Sequence, residues 1–472
     1  MVVGELTENT EVAVIGSGVG GYVAAIRLAQ LGKEVILVSK DALPGGTCLL
    51  HGCIPSKALI EATKFYRKIE AAKVMGIYAD NPRMNFTELQ AWKQQIVEKM
   101  AKGTQQLLKQ NGVQYAHGEA FFQDDHTLEV RGEHGNQKLR FEHAVLAPGS
   151  LPKPLKNFEY DGELILSSKE ALALTEVPPS LLVIGGGYIG LELGTVYARL
   201  GSQVTLVEAT DNLLPGLDPD LLRPVKKKLK EMNITVHLET LAELVKKSGR
   251  GVEVALKSKE SKTKLQVHKV LVAVGRFANT QGYGLENLKV KMSQDGFIAT
   301  NERCQTSIPH LYAVGDATGG MMLAHKAGRE ARVAAAHIAG QQDAFDNPVP
   351  AVIFTEPEIA YVGLQEHEAQ NQGLEIETGT FGFAALARAF TMNEAEGFVK
   401  VVAEKNTQRI LGVQIVGPHA SDLITEATLG IEMGALLEDL AVTIHPHPTL
   451  SEAIGEAVEA TLGMAIHRYQ KR

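Results

Sequence analysis

The sequence predicts an α/β protein, two parallel-sheet units joined to a C-terminal α+β domain, and three observations carry that prediction. A short apolar run enters a glycine-rich turn and then a helical pattern twice, at 11–32 and again at 181–208. A polar, Pro-containing stretch at 341–350 (QQDAFDNPVP) reads as a linker. Beyond it, strand-like runs at 398–402 and 410–416 mix with helical runs at 423–437 and 451–466.

The elements follow in order. Val12 to Ile15 is a continuous apolar run suited to a strand buried on both faces. It leads into Gly16, Gly18 and Gly21, after which Ala24, Ala25, Leu28 and Ala29 recur at helical spacing. Gly32 ends that helix, and 34–39 reads as the next strand. A helical stretch follows from Pro55 to about Gln110, then short strand-like runs to Ser150. Pro178 and Pro179 mark the entry to the second unit, LLVIGGGYIGLELGTVYARLGSQVTLVE, with turn glycines Gly185, Gly187 and Gly190. Strand-like segments occupy 233–275, and Lys226 to Lys228 read as a solvated helix face. LYAVGDATGG at 311–320 is another strand entering a turn.

In such a turn the first glycine permits the tight bend, the second lets backbone approach a pyrophosphate, and the third lets helix pack on strand. The helix N-terminus offers unpaired N–H groups and partial positive charge. One match alone is an ordinary strand-to-helix turn. Two matches, each after a strand and opening a helix, point to two Rossmann-like dinucleotide-binding domains. Glu208 ends the second strand of the second unit, where it can accept hydrogen bonds from both ribose hydroxyls and would repel a 2′-phosphate. No Arg or Lys follows within 209–222, so that site favours NAD over NADP. Ser39 holds the matching position in the first unit, where a hydroxyl makes a weaker ribose contact than a carboxylate.

The domain plan that results has a first domain in two segments, 1–150 and 276–347, around a second at 151–275. A C-terminal domain follows at 348–472. The 47 Lys and Arg against 55 Asp and Glu give a net charge of -8, which argues against a nucleic-acid partner. Three cysteines exclude a disulfide scaffold. The N-terminus MVVGELTENT shows neither a signal peptide nor an organelle presequence. The apolar window 181–200 contains Glu192, Arg199 and five glycines, a poor membrane span. The expectation is a soluble, cytoplasmic protein from a reducing compartment.

GGTCLLHGCIPSK at 45–57 places Cys48 and Cys53 five apart. Two small buried hydrophobes would account for them, and so would a redox pair. Zinc lacks a second ligand pair nearby, His51 reads as a solvated or packing residue, and no metal site is expected. Five residues of regular helix rise about 7.5 Å, and a disulfide needs Cα atoms within about 6.8 Å. If the two pair, the segment is not regular helix throughout. Pro55 follows closely, and a distorted helix start would favour thiolate. Lys57 shares a helix face with Cys53. In HPHPTLSEA at 445–453, His447 sits between two prolines and Glu452 near a helix start. A held imidazole with a carboxylate behind it makes a general base. A turn histidine and a dipole-favoured glutamate fit that segment equally well.

Taken together, GSGVGG, GGTCLLHGCIPSKAL, GGGYIGLELG with Glu208, VAVGR, LYAVGDATGGMMLAHKA, FTEPEIAYVG and HPHPTLSEA resemble the pyridine nucleotide–disulfide oxidoreductase family. They run in the family's order from about residue 12 to 460, and within the family they resemble the members acting on dihydrolipoamide. The resemblance implies a C-terminal dimerisation domain, FAD and NAD as cofactors, and a homodimer. It implies reoxidation of protein-bound dihydrolipoamide with NAD⁺, in contact with the lipoyl domains and core of a 2-oxo-acid dehydrogenase complex. Cys48 and Cys53 would form the redox disulfide. Cys53 would lie next to the flavin and form a charge-transfer complex when reduced, and Cys48 would exchange with the substrate dithiol. Lys57 would sit near flavin N5, paired with Glu192. His447 would take the thiol proton with Glu452 behind it, both from the partner subunit.

For FAD the resemblance implies Gly16, Gly18, Gly21, Ser39, Gly46, Thr47, Lys57, Gly118, Pro148, Gly149 and Ser150. Asp316 would meet the ribityl–phosphate region, and Met322, Leu323, Ala324 and His325 would line the flavin. For NAD it implies Gly185, Gly187, Tyr188, Ile189, Gly190, Glu192, Glu208, Leu241 and Gly275, with Tyr188 gating the nicotinamide pocket. Three features depart from the family pattern: Ser39 replaces Glu, the pair Leu50-His51 replaces Asn plus a small or basic residue, and Pro148 removes a hydroxyl and an N–H. Glutathione-type relatives prefer NADP, against Glu208. Members with a C-terminal redox pair differ from this tail, AIHRYQKR, which has no cysteine.

Overall fold

A computed structural model describes residues 7–132, 135–249, 251–259 and 261–469 of the chain. The chain divides into two compact units, Met1–Pro154 with Ser167–Glu176 and Val274–Asp346, and Leu155–Leu166 with Val177–Ala273 and Asn347–Arg472.

In the first unit the strand Thr7–Ile15 has Val12 to Ile15 wholly buried. Both faces are covered, so its apolar residues run consecutively. It pairs in parallel with Val35–Ser39 on one side and Gly135–Leu146 on the other. The seven-stranded sheet runs Gln114–His117, Val35–Ser39, Thr7–Ile15, Gly135–Leu146, Thr127–Gly132, Glu119–Asp124, and Leu311–Ala313 also pairs with Gly135–Leu146. One face packs Val12 and Val14 with Leu28 of the helix Val19–Gln30 and Ala331 and Ala334 of the helix Ala324–Ile338. The other packs Ala13 and Ile15 with Phe122, Phe141 and Leu285. Register brings Ile15 beside Leu146, and Leu146 beside Ala313, so the parallel strands end together where the turns begin.

The second unit holds a five-stranded parallel sheet in the order Thr235–His237, Gln203–Val207, Ser180–Ile184, Lys269–Val272, Ile165–Leu166. It also holds an antiparallel sheet of Leu241–Ser248, Gly251–Lys257 and Lys262–Val267. Its C-terminal part is a five-stranded antiparallel sheet ordered Ala351–Ile353, Glu358–Gly363, Ile410–Gly417, Phe398–Glu404, Ile376–Gly382. Ile424 and Ala427 of the helix Ala420–Glu432 and Ile454 and Val458 of the helix Glu452–Thr461 pack onto Phe381, Val399 and Val401. The α/β class with an α+β C-terminal part is therefore observed. Among the described residues no helix is long and apolar enough to cross a membrane.

Three helical spans differ from expectation. The stretch from Pro55 to Gln110 is two helices, Cys53–Ala71 and Phe86–Gln110, because Asn85 caps the second by accepting the Thr87 and Glu88 N–H groups. The spans 423–437 and 451–466 end early, at Glu432 and Thr461. Gly434 and Gly463 follow them at φ 69° and 73°, the left-handed stop that glycine adopts without strain. Lys226 and Lys227 are exposed on the helix Pro219–Glu231, as expected of a solvated face.

Candidate functional site

The first glycine turn is shaped by close approach. Gly16 has φ 97°, and a Cβ there would lie 2.2 Å from the Ala147 carbonyl oxygen. A Cβ on Gly21 would lie 1.7 Å from the Gly16 carbonyl. The helix Val19–Gln30 begins at Gly18 with no side-chain cap and no acid in its first turn. A Cβ on Gly18 would meet nothing within 4 Å. An uncapped helix end facing open space is a seat for a diphosphate. The second unit repeats this. Gly187 opens the uncapped helix Tyr188–Arg199 onto open space, and a Cβ on Gly190 would lie 2.1 Å from the Gly185 carbonyl. Both turns fit a dinucleotide cofactor. A third uncapped start, at Leu323 before the helix Ala324–Ile338, holds the expected 322–325 segment.

The strand-end residues differ. Glu208 Oε2 accepts the Gly186 N–H at 2.6 Å, and Oε1 accepts the Thr210 N–H and hydroxyl at 2.9 and 3.0 Å. Three donors therefore fix the carboxylate at the mouth of the second turn. Ser39 is buried, shares a 2.8 Å hydrogen bond with Ser17 Oγ and accepts the Asp41 N–H at 3.2 Å. A hydroxyl has one donor and two acceptor positions; Ser17 and the Asp41 N–H take two of them, and the Tyr115 hydroxyl is a further polar partner of both serines. Gly118 donates its N–H to the Ser39 carbonyl at 2.9 Å.

Asp316 begins the turn after Leu311–Ala313 and accepts the Ser150 hydroxyl. Arg276 holds Ser150 in place, donating from Nε to its hydroxyl and from a terminal nitrogen to its carbonyl, both at 2.7 Å. Glu330 accepts the Gly315 N–H at 2.6 Å and is paired with buried Lys326 at 2.7 Å. The carbonyls of Pro148 and Gly149 accept from Asn279 at 3.1 and 3.0 Å. Gly275 donates no side chain but its carbonyl accepts the Lys153 N–H at 2.9 Å. Tyr188 and Leu241 are exposed. Glu192 is buried and accepts the Phe354 N–H at 3.0 Å.

Cys48 lies in a π-helical turn, Thr47–His51, and Cys53 opens the helix Cys53–Ala71 after a break at Gly52. The segment is thus the non-regular helix that a Cys48–Cys53 approach requires, and such widened turns concentrate at functional sites. A Cβ on Gly46 would lie 2.6 Å from the Gly18 Cα, so the cysteine loop lies directly against the first glycine turn. The Cys48 thiol is hydrogen-bonded to Cys53. That bond, burial and the Cys53 charge push it far above the ordinary thiol range, with Lys57 pulling the other way. His51 is half-buried rather than solvated, and burial holds its imidazole below the usual range. Cys304 is buried in the sheet core, and burial pushes its thiol up to about 12, so it is inert.

His447 Nδ1 lies 2.8 Å from Glu452 Oε1, and Glu452 Oε2 accepts the Thr449 N–H at 2.8 Å. With Nδ1–H donating to the carboxylate, Nε2 keeps its lone pair, the arrangement of a general base. The spacing of these two residues in sequence concealed the support beneath them. His445 Nε2 lies 2.7 Å from Glu426 Oε1, and a Cβ on Gly455 would lie 3.0 Å from its Nδ1. His445 therefore ties the loop between the helices Ala420–Glu432 and Glu452–Thr461. Its pKa is raised, chiefly by the Glu426 hydrogen bond. A raised histidine stabilises below its unfolded value, and that stability is lost as pH rises through the folded value. Glu426→Gln is expected to lower the melting temperature by about 2 °C near pH 6 and by less at alkaline pH. A deficit that does not shrink would show that His445 is not ionised.

Ser17, Arg276, Glu330, His445 and Glu426 support the site through contacts that sequence pattern does not announce. Ser17, Arg276 and His445 lie in the motifs GSGVGG, VAVGR and HPHPTLSEA, whereas Glu330 and Glu426 lie outside every motif.

The chain matches the family model described as pyridine nucleotide-disulphide oxidoreductase over residues 10–331, and that family's dimerisation domain over residues 349–458. It is 48% identical to a protein named dihydrolipoyl dehydrogenase 2 from Haloarcula marismortui, over 99% of this chain and 100% of that one. It is 45% identical to dihydrolipoyl dehydrogenase of Geobacillus stearothermophilus, over 99% of both chains. The solved structure of LpdA from Mycobacterium tuberculosis superposes with a TM-score of 0.89 at 26% identity, covering 95% of this chain and 99% of that one.

Proposed function

The chain belongs to the pyridine nucleotide-disulphide oxidoreductase family, and from that premise we propose that it oxidises a protein-bound dihydrolipoyl group with NAD⁺. The observation that carries the reading is the hydrogen-bonded Cys48–Cys53 pair on a broken helix start, lying against an uncapped glycine turn. Residues 1–150 and 276–347 form the FAD domain, 151–275 the NAD domain and 348–472 the dimer interface. In the homodimer, His447 and Glu452 of each chain serve the cysteines of the other. The electron donor is the lipoyl domain of a 2-oxo-acid dehydrogenase complex, in the cytoplasm.

The chain's own residues do the thiol chemistry. His447 Nε2 takes the proton from the first substrate thiol, and the resulting thiolate attacks Cys48 of the Cys48–Cys53 disulfide. Cys53 leaves as thiolate, with Lys57 nearby. The second substrate thiol, losing its proton, attacks the mixed disulfide, closes the lipoyl ring and releases Cys48, which takes up a proton. Two electrons have then passed from substrate to the cysteine pair. Bound FAD and NAD⁺ supply the acceptors that carry those electrons away, giving NADH and restoring the disulfide.

The test is a steady-state comparison of dihydrolipoamide, dithiothreitol and glutathione, each with NAD⁺ and NADP⁺. Dihydrolipoamide with NAD⁺ is expected to exceed every other pair by at least about 100-fold in kcat/KM, worth about 2.7 kcal/mol. Equal use of another dithiol, or preference for NADP⁺, would overturn the proposal. Glu208→Ala is expected to raise the KM for NAD⁺ by about 10- to 100-fold, the loss of a charged hydrogen bond to ribose. An unchanged KM would remove Glu208 from that site.

A further inference from the structure

We propose that Asp125, His126 and His310 form a surface site for a divalent transition-metal ion. Asp125 and His126 turn the chain between the strands Glu119–Asp124 and Thr127–Gly132, and His310 immediately precedes Leu311–Ala313. Leu311 pairs with Ala144, whereas Ala313 pairs with Leu146 beside the glycine turn. The cluster is therefore at the end of the sheet opposite Gly16.

One ligand atom from each residue lies within 4.8 Å of the other two. His126 Nδ1 is 2.9 Å from the Phe141 carbonyl, and His310 Nε2 is 2.7 Å from the Asp125 carbonyl. A carbonyl only accepts, so those nitrogens carry the protons, and His126 Nε2 and His310 Nδ1 keep their lone pairs. Metal-binding histidines almost always donate their second nitrogen to a carbonyl or carboxylate. Here that support is already in place on both rings. Asp125 contributes its backbone oxygen to this network, which leaves its carboxylate for an ion.

The two rings stack with centroids 4.0 Å apart and planes at 8°. Parallel stacked imidazoles do not aim both lone pairs at one point. Binding turns one ring out of the stack, and exposed His126 is the one with room to pivot on its Phe141 bond. A cleft of about 520 Å³ opens beside His126, lined also by Arg140 and Glu142. A third imidazole, His143, lies near both rings with its buried Nδ1 lacking a partner. Two imidazoles and one carboxylate suit Zn²⁺, Ni²⁺ or Cu²⁺, not the oxygen-seeking Mg²⁺ or Ca²⁺. Three protein ligands leave a fourth position for water. No sequence pattern announced the site, because Asp125 and His310 are 185 positions apart.

The experiment is calorimetric titration of the oxidised holoenzyme with ZnCl₂, in which the disulfide keeps Cys48 and Cys53 from competing. One ion per chain is expected to depend on this cluster. Its affinity should fall at least about 10-fold in both His126→Ala and His310→Ala, with flavin content and melting temperature unchanged. Equal affinity in the variants, or no saturable binding below about 1 mM, would overturn the proposal. The unaltered protein gives a second reading that needs no variant. Zn²⁺ should shield His126 and His310 from diethylpyrocarbonate, located by mass spectrometry, while exposed His419 still reacts. Equal labelling of all three with and without Zn²⁺ would also overturn it.

Discussion

Replacing Cys53 with serine is expected to lower dihydrolipoamide turnover at least about 1,000-fold, a loss typical of removing a covalent nucleophile. The fold should survive, because serine is nearly isosteric and Cys53 is only half-buried at the first position of its helix. Cys48→Ser should be as inactive, since either sulfur is required for disulfide exchange. The two variants should differ in spectrum. Hydrogen bonding, burial and the neighbouring charge make Cys48 the harder thiol to ionise. We place the single negative charge of the reduced pair on Cys53, at the start of its helix. Under anaerobic reduction the native enzyme and Cys48→Ser should show a long-wavelength thiolate–flavin band, and Cys53→Ser should not. NADH oxidation by an artificial acceptor, which bypasses the cysteines, should persist in both. A band in Cys53→Ser would reverse the two roles, and retained turnover would refute the redox pair.

The sequence was legible wherever chemistry follows local order. Val12 to Ile15 and Leu181 to Ile184 are continuous apolar runs, and a strand buried on both faces has no other pattern to show. Gly16 and Gly21 declare themselves because a side chain there would overlap the backbone. Cys48 and Cys53, five apart beside Pro55, could be seen to require a broken helix, though not that the break is a π-turn ended at Gly52. Helix ends were less legible. The runs through Gly434 and Gly463 keep helical periodicity on paper, and only the left-handed backbone at each glycine stops them. Contacts between distant segments were not legible. Ser39 was read as a ribose ligand, but its Ser17 hydrogen bond depends on the glycine turn folding back onto the second strand. Arg276 reaches Ser150 from across the chain, and the Asp125–His310 cluster exists only once the sheet has formed.

His447→Gln is expected to lower kcat/KM for dihydrolipoamide by about 100- to 10,000-fold, the range for a positioned general base. Glutamine keeps much of the side-chain shape but cannot accept and release the thiol proton. Glu452→Gln should cost less, because the amide oxygen can still accept from His447 Nδ1 while the negative charge is lost. Burial raises the Glu452 carboxyl, but hydrogen bonds from His447 and the Thr449 N–H, with the charges of His447 and His445, bring it below the usual range. A lowered carboxylate stabilises above its unfolded value, and that contribution is lost only as pH falls through the folded value. The carboxylate therefore stays ionised behind the imidazole through mildly acidic pH. The acid limb of kcat/KM then reports the imidazole. In His447→Gln that limb should flatten, while in Glu452→Gln it should remain. Profiles measured on both variants at matched flavin content would decide it, and an unaltered acid limb in His447→Gln would assign the base elsewhere.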